Sequence, residues 1–165
     1  MATGADTLWA SGGSVNRVYR FVRSSTGWTK DSVVLADSGK ALYAAGLAPV
    51  DGGRRLALVG NLSDSVYLLD AASLTRTAAI AVGHRPYTVV ADSAHLYVSN
   101  WGDSTVSIID LTAQPSHRLS TVFVGPHPSA LALRGAELFA ALAGSNAVAR
   151  LDRSEERRVG KECRL

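Results

Sequence analysis

Five residues carry the side-chain chemistry from which a binding site could be built: His84, Arg85, Asn100, Trp101 and His127. Two imidazoles, a guanidinium, a carboxamide and an indole are types that hold ligands, by hydrogen bonding to anions and polar groups and by offering a flat face for stacking. Their spacing narrows the choice. Gly83 and Gly125 lie 42 residues apart, as do Pro86 and Pro128. His84 follows its glycine directly, whereas His127 stands two after its own, so the two histidines are not equivalent. That weakens a symmetric metal site, and His95 and His117 fall in other turns. The Gly and Pro pairs read first as turn shapers, with Pro fixing φ at the start of a strand. Trp101 is as well suited to covering the structure beneath it as to binding, and Asn and Asp in tight turns are turn formers before they are ligands.

Catalytic signatures are missing from the chain. It has no Gly-x-Ser-x-Gly elbow, no phosphate loop ending in Gly-Lys-Ser/Thr and no His-Glu-x-x-His. The carboxylates Asp64, Asp103 and Asp110 recur at hairpin positions, where turn and cap chemistry accounts for them. No catalytic residue, cofactor or metal ligand is therefore assigned, and the five residues above form a ligand-binding set.

The elements that must position them repeat along the chain. Residues 96–110 read Leu-Tyr-Val-Ser-Asn-Trp-Gly-Asp-Ser-Thr-Val-Ser-Ile-Ile-Asp, two β-branched and aromatic runs joined by turn residues, which is a β-hairpin. The Leu-to-Val spacing of ten recurs from Leu56 to Val66, from Leu138 to Val148 and, more loosely, from Leu8 to Val18. Successive leucines are 48, 40 and 42 residues apart. A period near forty with strand-rich units, and no 3.6-residue apolar period, is the signature of a propeller built from four-stranded blades. The blades fall near residues 1–35, 41–82, 83–124 and 125–152, and residues 153–165 break the pattern just after Asp152, where a further strand should follow. Asp51-Gly52-Gly53-Arg54 predicts a tight hairpin turn with positive φ, and residues 24–40 are poorly patterned, with an outer strand expected over residues 32–35 and a turn at residues 37–39.

In an up-and-down blade, the loop between the second and third strands shares a rim with the loop between blades. One rim therefore gathers residues 61–64, 83–85, 100–103, 125–127 and 144–146, and all five candidate residues lie on it.

Composition agrees with one soluble-type globular domain: 165 residues, 47% hydrophobic and 19% charged. The net charge of +3 owes much to residues 153–165, which hold five basic and three acidic side chains; the remaining 12 basic and 11 acidic residues leave +1. A basic stripe is absent from the repeats, which argues against nucleic acid as a partner. Cys163 is the sole cysteine, so a disulfide framework and Cys-ligated zinc are excluded. No apolar run is long enough for a membrane-spanning helix or a signal peptide.

Residues 96–110, with 61–66, 82–90 and 124–132, resemble the YVTN β-propeller repeat, and the resemblance covers residues 8–152 in four copies. It implies an all-β chain, about three and a half four-stranded antiparallel blades, as a partial propeller out of a seven-bladed ring. Among such repeats, Asn-Leu-Ser-Asp-Ser-Val, Val-Gly-His-Arg-Pro-Tyr and Val-Gly-Pro-His-Pro-Ser-Ala resemble bacterial YncE-like propellers fused to alkaline-phosphatase-type phosphoesterase domains. The resemblance implies a binding or scaffold module for an unidentified protein or small molecule, in a periplasmic or extracellular setting. Its alternatives are an accessory domain of such a metal-dependent phosphoesterase, or a propeller enzyme such as a lactonase. Residues 153–163 resemble a translated sequencing adapter, so residues 153–165 are expected to add nothing to the fold.

Overall fold

The computed structural model describes residues 2–3, 6–35, 41–153 and 163–164. Its strands fall into four antiparallel four-stranded sheets, each built from strands consecutive in sequence. The first sheet holds β1 (Ala2–Thr3), β2 (Thr7–Ser11), β3 (Arg17–Ser24) and β4 (Gly27–Val34). The second holds β5 (Ala44–Val50), β6 (Arg55–Gly60), β7 (Ser65–Asp70) and β8 (Arg76–Ala81). The third holds β9 (Pro86–Ala91), β10 (His95–Asn100), β11 (Thr105–Asp110) and β12 (His117–Phe123). The fourth holds β13 (Pro128–Arg134), β14 (Glu137–Leu142), β15 (Ala147–Asp152) and β16 (Cys163–Arg164). The strands β5, β9 and β13 pack side by side, with β2 and β1 against β5.

Why blades stack follows from the pleat. Side chains alternate between faces along each middle strand, and both faces are apolar, so a blade must be covered on two sides. Leu56, Leu58, Tyr67 and Leu69 meet Trp9 and Val18 of the first blade. Ala57, Val59, Val66 and Leu68, one position out of phase, meet Val89, Leu96, Val98 and Ile109 of the third. Tyr97, Val106 and Ile108 then meet Leu138, Ala140, Leu142 and Leu151 of the fourth. The core is thus three apolar seams in series, and each leucine buried in one is worth about 1.5–3 kcal/mol.

Turns behave as their residues require. The 3-10 turn at Asp51–Gly53 has positive φ at Asp51, Gly52 and Gly53. Two stretches differ from expectation. The weakly patterned segment after Ser24, where an outer strand is expected only over residues 32–35, carries the eight-residue strand β4 from Gly27 to Val34, which is mostly exposed; an outer blade strand needs no apolar alternation, so its polar first half hid its start. The second difference is at Arg153, whose amide donates to Ala136 O at 2.8 Å, just as Ala71 donates to Arg54 O and Leu111 to Ala94 O. Arg153 therefore keeps the register of the repeat, and Cys163–Arg164 pairs with Ala147 and Val148 as the outer strand of that sheet. Residues 154–162, and the turn expected at residues 37–39, lie outside the described residues.

Candidate functional site

The rim is organised by three positions that share a backbone conformation rather than a chemistry. Tyr43, Arg85 and His127, 42 residues apart, stand immediately before β5, β9 and β13 with φ of 46°, 51° and 54°. This left-handed turn lets each carbonyl accept a hydrogen bond from its own blade's hairpin loop. The donors are the amides of Asn61, Trp101 and Ala143, at 3.0, 3.1 and 3.0 Å. His84 is one residue earlier and matches Leu42 and Pro126, whose carbonyls accept from the next amide of the loop. The inequivalence of the two histidines therefore has a structural basis: His127 occupies the position of Arg85.

A second set of left-handed residues, Asn16, Asp64, Ser104 and Asn146, lies in the hairpin loops. The Asn16 and Asp64 side-chain oxygens each accept from the amide of the residue that starts the following blade, Tyr43 and Arg85, at 2.9 Å. Asp64 also reaches His84 Nδ1 at 3.1 Å, and Asp103 accepts from the His84 amide. The expected turn and cap role of these aspartates is thus more specific: Asp64 latches the hairpin loop of one blade to the entry turn of the next, and Asp103 ties its own blade's hairpin loop to that blade's entry turn. Asp110 does form a turn, accepting from Thr112 and Ala113.

Of the five candidate residues, four are brought to one rim with solvent access and the fifth is not. Asn100 is fully buried. Its carboxamide accepts from Gly83 N at 3.1 Å and donates to Thr105 Oγ1 and Ser107 Oγ at 2.9 Å each, so its bonding capacity is spent inside the blade. Trp101 is 41% exposed and stacks on His127 with ring centroids 4.1 Å apart and planes 23° from parallel. His127 Nδ1 lies 3.1 Å from Trp101 O. Covering and presenting are therefore combined in Trp101, one face of which is held by the next blade. Both imidazoles rest over a hairpin glycine: a Cβ added at Gly102 would lie 2.7 Å from His84 Cδ2, and one at Gly144 would lie 2.8 Å from His127 Cδ2. Arg85 is exposed, and its guanidinium has no partner among the described residues.

Beside these residues the four inner edges enclose an open cleft of about 480 Å³, lined by Ser11 and Gly13, Tyr43 and Gly46, Tyr87 and Thr88, and Ser129 and Ala130. Tyr87 and Tyr43 are 50% and 42% exposed. Tyr43, Tyr87, Thr88 and Ser129 were not among the candidates; the period of 42 that carries Tyr43 to Arg85 and Arg85 to His127 was the available signal. Among the described residues no group of three His, Cys, Asp or Glu could hold a metal ion.

Titration shifts fall on the opposite rim and have structural causes. Burial of Asp92 works to raise its carboxyl pKa, but the amides of Ala94 and His95, Arg153 and Tyr97 outweigh it and hold it below the usual value. Burial raises the Tyr97 phenol, against the opposing hydrogen bond from Arg153. Hydrogen bonds from Ser73 lower Asp70, and those from Thr112 lower Asp110. Perturbed groups often mark function, but here the aspartates are explained by their turns and Tyr97 by its burial beside Arg153.

No protein-family model and no curated protein matches the chain, whereas solved structures do. A Lactobacillus plantarum protein superposes at a TM-score of 0.83 with 16% identity, over 96% of this chain and 54% of its own. The fold is a β-propeller. A putative 6-phosphogluconolactonase from Bacteroides uniformis matches at 0.77 and 19% identity over 95% and 50%, and Citrobacter koseri AztD at 0.73 and 16% over 99% and 46%. This chain spans about half the length of these propellers, and at such identities they share its fold alone.

Proposed function

We propose that this propeller is a non-catalytic binding module whose rim holds a partner or small molecule through Arg85, Trp101, His84 and His127, beside the axial cleft. The observation that carries the reading is Arg85. A conformation that non-glycine residues rarely adopt sets its guanidinium on the rim between Tyr43 and His127, while Asp64 is engaged with the Arg85 amide and His84. A planar cationic fork flanked by a phenol and a stacked indole–imidazole pair suits a ligand with a carboxylate or phosphate and a flat or apolar body. The resemblance to phosphoesterase-linked propellers adds an accessory form of the same reading, in which the rim presents a ligand to a catalytic domain.

Chemistry at this rim is disfavoured by solvent. The Asp64–His84 pair is the nearest thing to an acid–base couple, and its side chains are 45% and 58% exposed. A water-bathed pair gains little from the low dielectric that strengthens catalytic electrostatics. The test uses a Trp9→Phe, Trp28→Phe variant, so that Trp101 is the sole tryptophan, titrated with phosphorylated and carboxylated small molecules and short acidic peptides. A saturable change in emission, weakened at least about tenfold in Arg85→Ala (1.4 kcal/mol), is expected. Saturation indifferent to Arg85, or no saturation with any probe, overturns the assignment.

A further inference from the structure

We propose that the axial cleft is a second binding site, for a neutral polyhydroxylated ligand of the saccharide class, with the Tyr43 and Tyr87 phenols as its platforms. The proposal goes beyond the rim reading and does not rest on it, because none of the rim side chains Arg85, Trp101, His84 and His127 lines the cleft.

What lines the cleft decides its chemistry. Five hydroxyl side chains converge on it from four blades: Ser11, Tyr43, Tyr87, Thr88 and Ser129. The rest of the lining is glycine and alanine. An ion finds no counter-charge there, and a hydrocarbon finds no large aliphatic side chain to be buried against. Hydroxyls remain, each able to donate once and accept twice. Those of Ser11, Tyr43, Tyr87 and Thr88 have no hydrogen-bond partner among the described residues, and Ser129 Oγ makes one long bond, at 3.4 Å to Ala141 O. Their bonding capacity is open to a ligand, where that of Asn100 is spent inside the blade.

The two phenols add flat faces. A Cβ added at Gly13 would lie 3.8 Å from Cζ of Tyr43 and 3.9 Å from its Oη, so the first blade backs this ring. Tyr87 follows Pro86 on β9, and Gly46 lets β9 come close to β5: a Cβ there would lie 2.8 Å from Thr88 Cα and 3.0 Å from Tyr87 O. A pyranose matches such a surface twice over, since its axial C–H bonds present a positive face to the negative π-face of a phenol while its hydroxyls reach outward to hydroxyl partners. Each inner strand is also hydrogen-bonded within its sheet on one side only, β5 to β6, β9 to β10 and β13 to β14, which leaves main-chain donors and acceptors along the axial edge. Inner strands face the central channel in a propeller of any blade number, so these side chains line it whichever strands cover the outer faces of the first and fourth blades. The volume of about 480 Å³ falls within the range of about 300–1,000 Å³ for small-molecule sites.

The test is saturation-transfer NMR and calorimetric titration of the full chain with the uncharged probes glucose, N-acetylglucosamine, maltose and cellobiose, and with cyclohexanol as a ring of similar size bearing one hydroxyl. Saturation by at least one of the sugars, and none by cyclohexanol, is expected. Tyr87→Phe, which keeps the ring and loses the hydroxyl, should weaken that sugar about threefold, and Tyr87→Ala at least about tenfold. Tyr43→Phe, which keeps its ring over Gly13, should repeat the threefold loss. Both tyrosines are exposed, so every variant should keep its β-sheet circular dichroism. Neither readout uses Trp101 emission, so a failure here is separate from a failure of the rim assignment. No saturation by any of the sugars overturns the proposal. So does sugar binding indifferent to Tyr87→Ala, or cyclohexanol binding as tightly as the sugar.

Discussion

His127 joins two blades with one ring, stacking on Trp101 while its Nδ1 meets the Trp101 carbonyl. An aromatic pair is worth about 0.5–1.5 kcal/mol beyond its buried area, and a hydrogen bond about the same. His127→Ala should therefore destabilise the chain by about 1–2 kcal/mol in urea unfolding and shift Trp101 emission toward that of a solvated indole. No loss and no shift would mean that the stack does not form in solution. Asn100 predicts a larger effect: Asn100→Ala leaves the Gly83 amide without its acceptor inside the blade, a cost of about 1–3 kcal/mol before the lost packing. At this scale the sequence exposed residue types but not their use. Asn100 reads as a rim amide because it borders a turn, and only the fold shows its carboxamide turned inward. Tyr43, Arg85 and His127 share no chemistry, so their common backbone role stays hidden unless the 42-residue spacing is tried on every rim position.

Elements were legible where burial imposes alternation. The middle strands β6, β7, β10 and β11 have both faces covered, and their continuous apolar runs mark them in the sequence; β14 and β15 bury alternate residues, and the alternation marks them as well. Outer strands have no such demand, which is why β4, with Trp28 57% exposed, left little pattern. The expectation that residues 153–165 add nothing to the fold fails at Arg153, whose amide keeps the register of the repeat. Its guanidinium bonds to Asp92 and to Gly135 O, reaches Tyr97 Oη at 3.2 Å and stands 5.5 Å from the centre of the Tyr97 ring. Arg153→Ala should thus lower the thermal midpoint of the chain, and an unchanged midpoint would return Arg153 to the tail. The same cluster sets an acid limit. Asp92 has a folded pKa below its usual 3.8, so its stabilising contribution is complete above that value and disappears as the pH falls through the lower folded one. The gap in melting temperature between wild type and Asp92→Asn should be constant at neutral pH and shrink on acidification below about pH 4. A gap that widens in acid would contradict the sign.

For the whole molecule, the repeat fixes a series of seams, and the seams put one rim of every blade on the same side of a central cleft. That much follows from a period of forty and the two-residue alternation, because a blade with two apolar faces has to stack. What the rim binds does not follow, since loop residues answer to a ligand rather than to the packing that makes strands readable. The central claim is that the rim binds without reacting. Its most direct test is an initial-rate assay of the full chain, with added divalent metals, against phosphate monoesters, phosphodiesters and lactones. The account predicts hydrolysis no faster than in buffer. Turnover that vanishes in His84→Ala or Asp64→Asn, with the β-sheet circular dichroism retained, would contradict it and make the Asp64–His84 pair a catalytic acid–base couple.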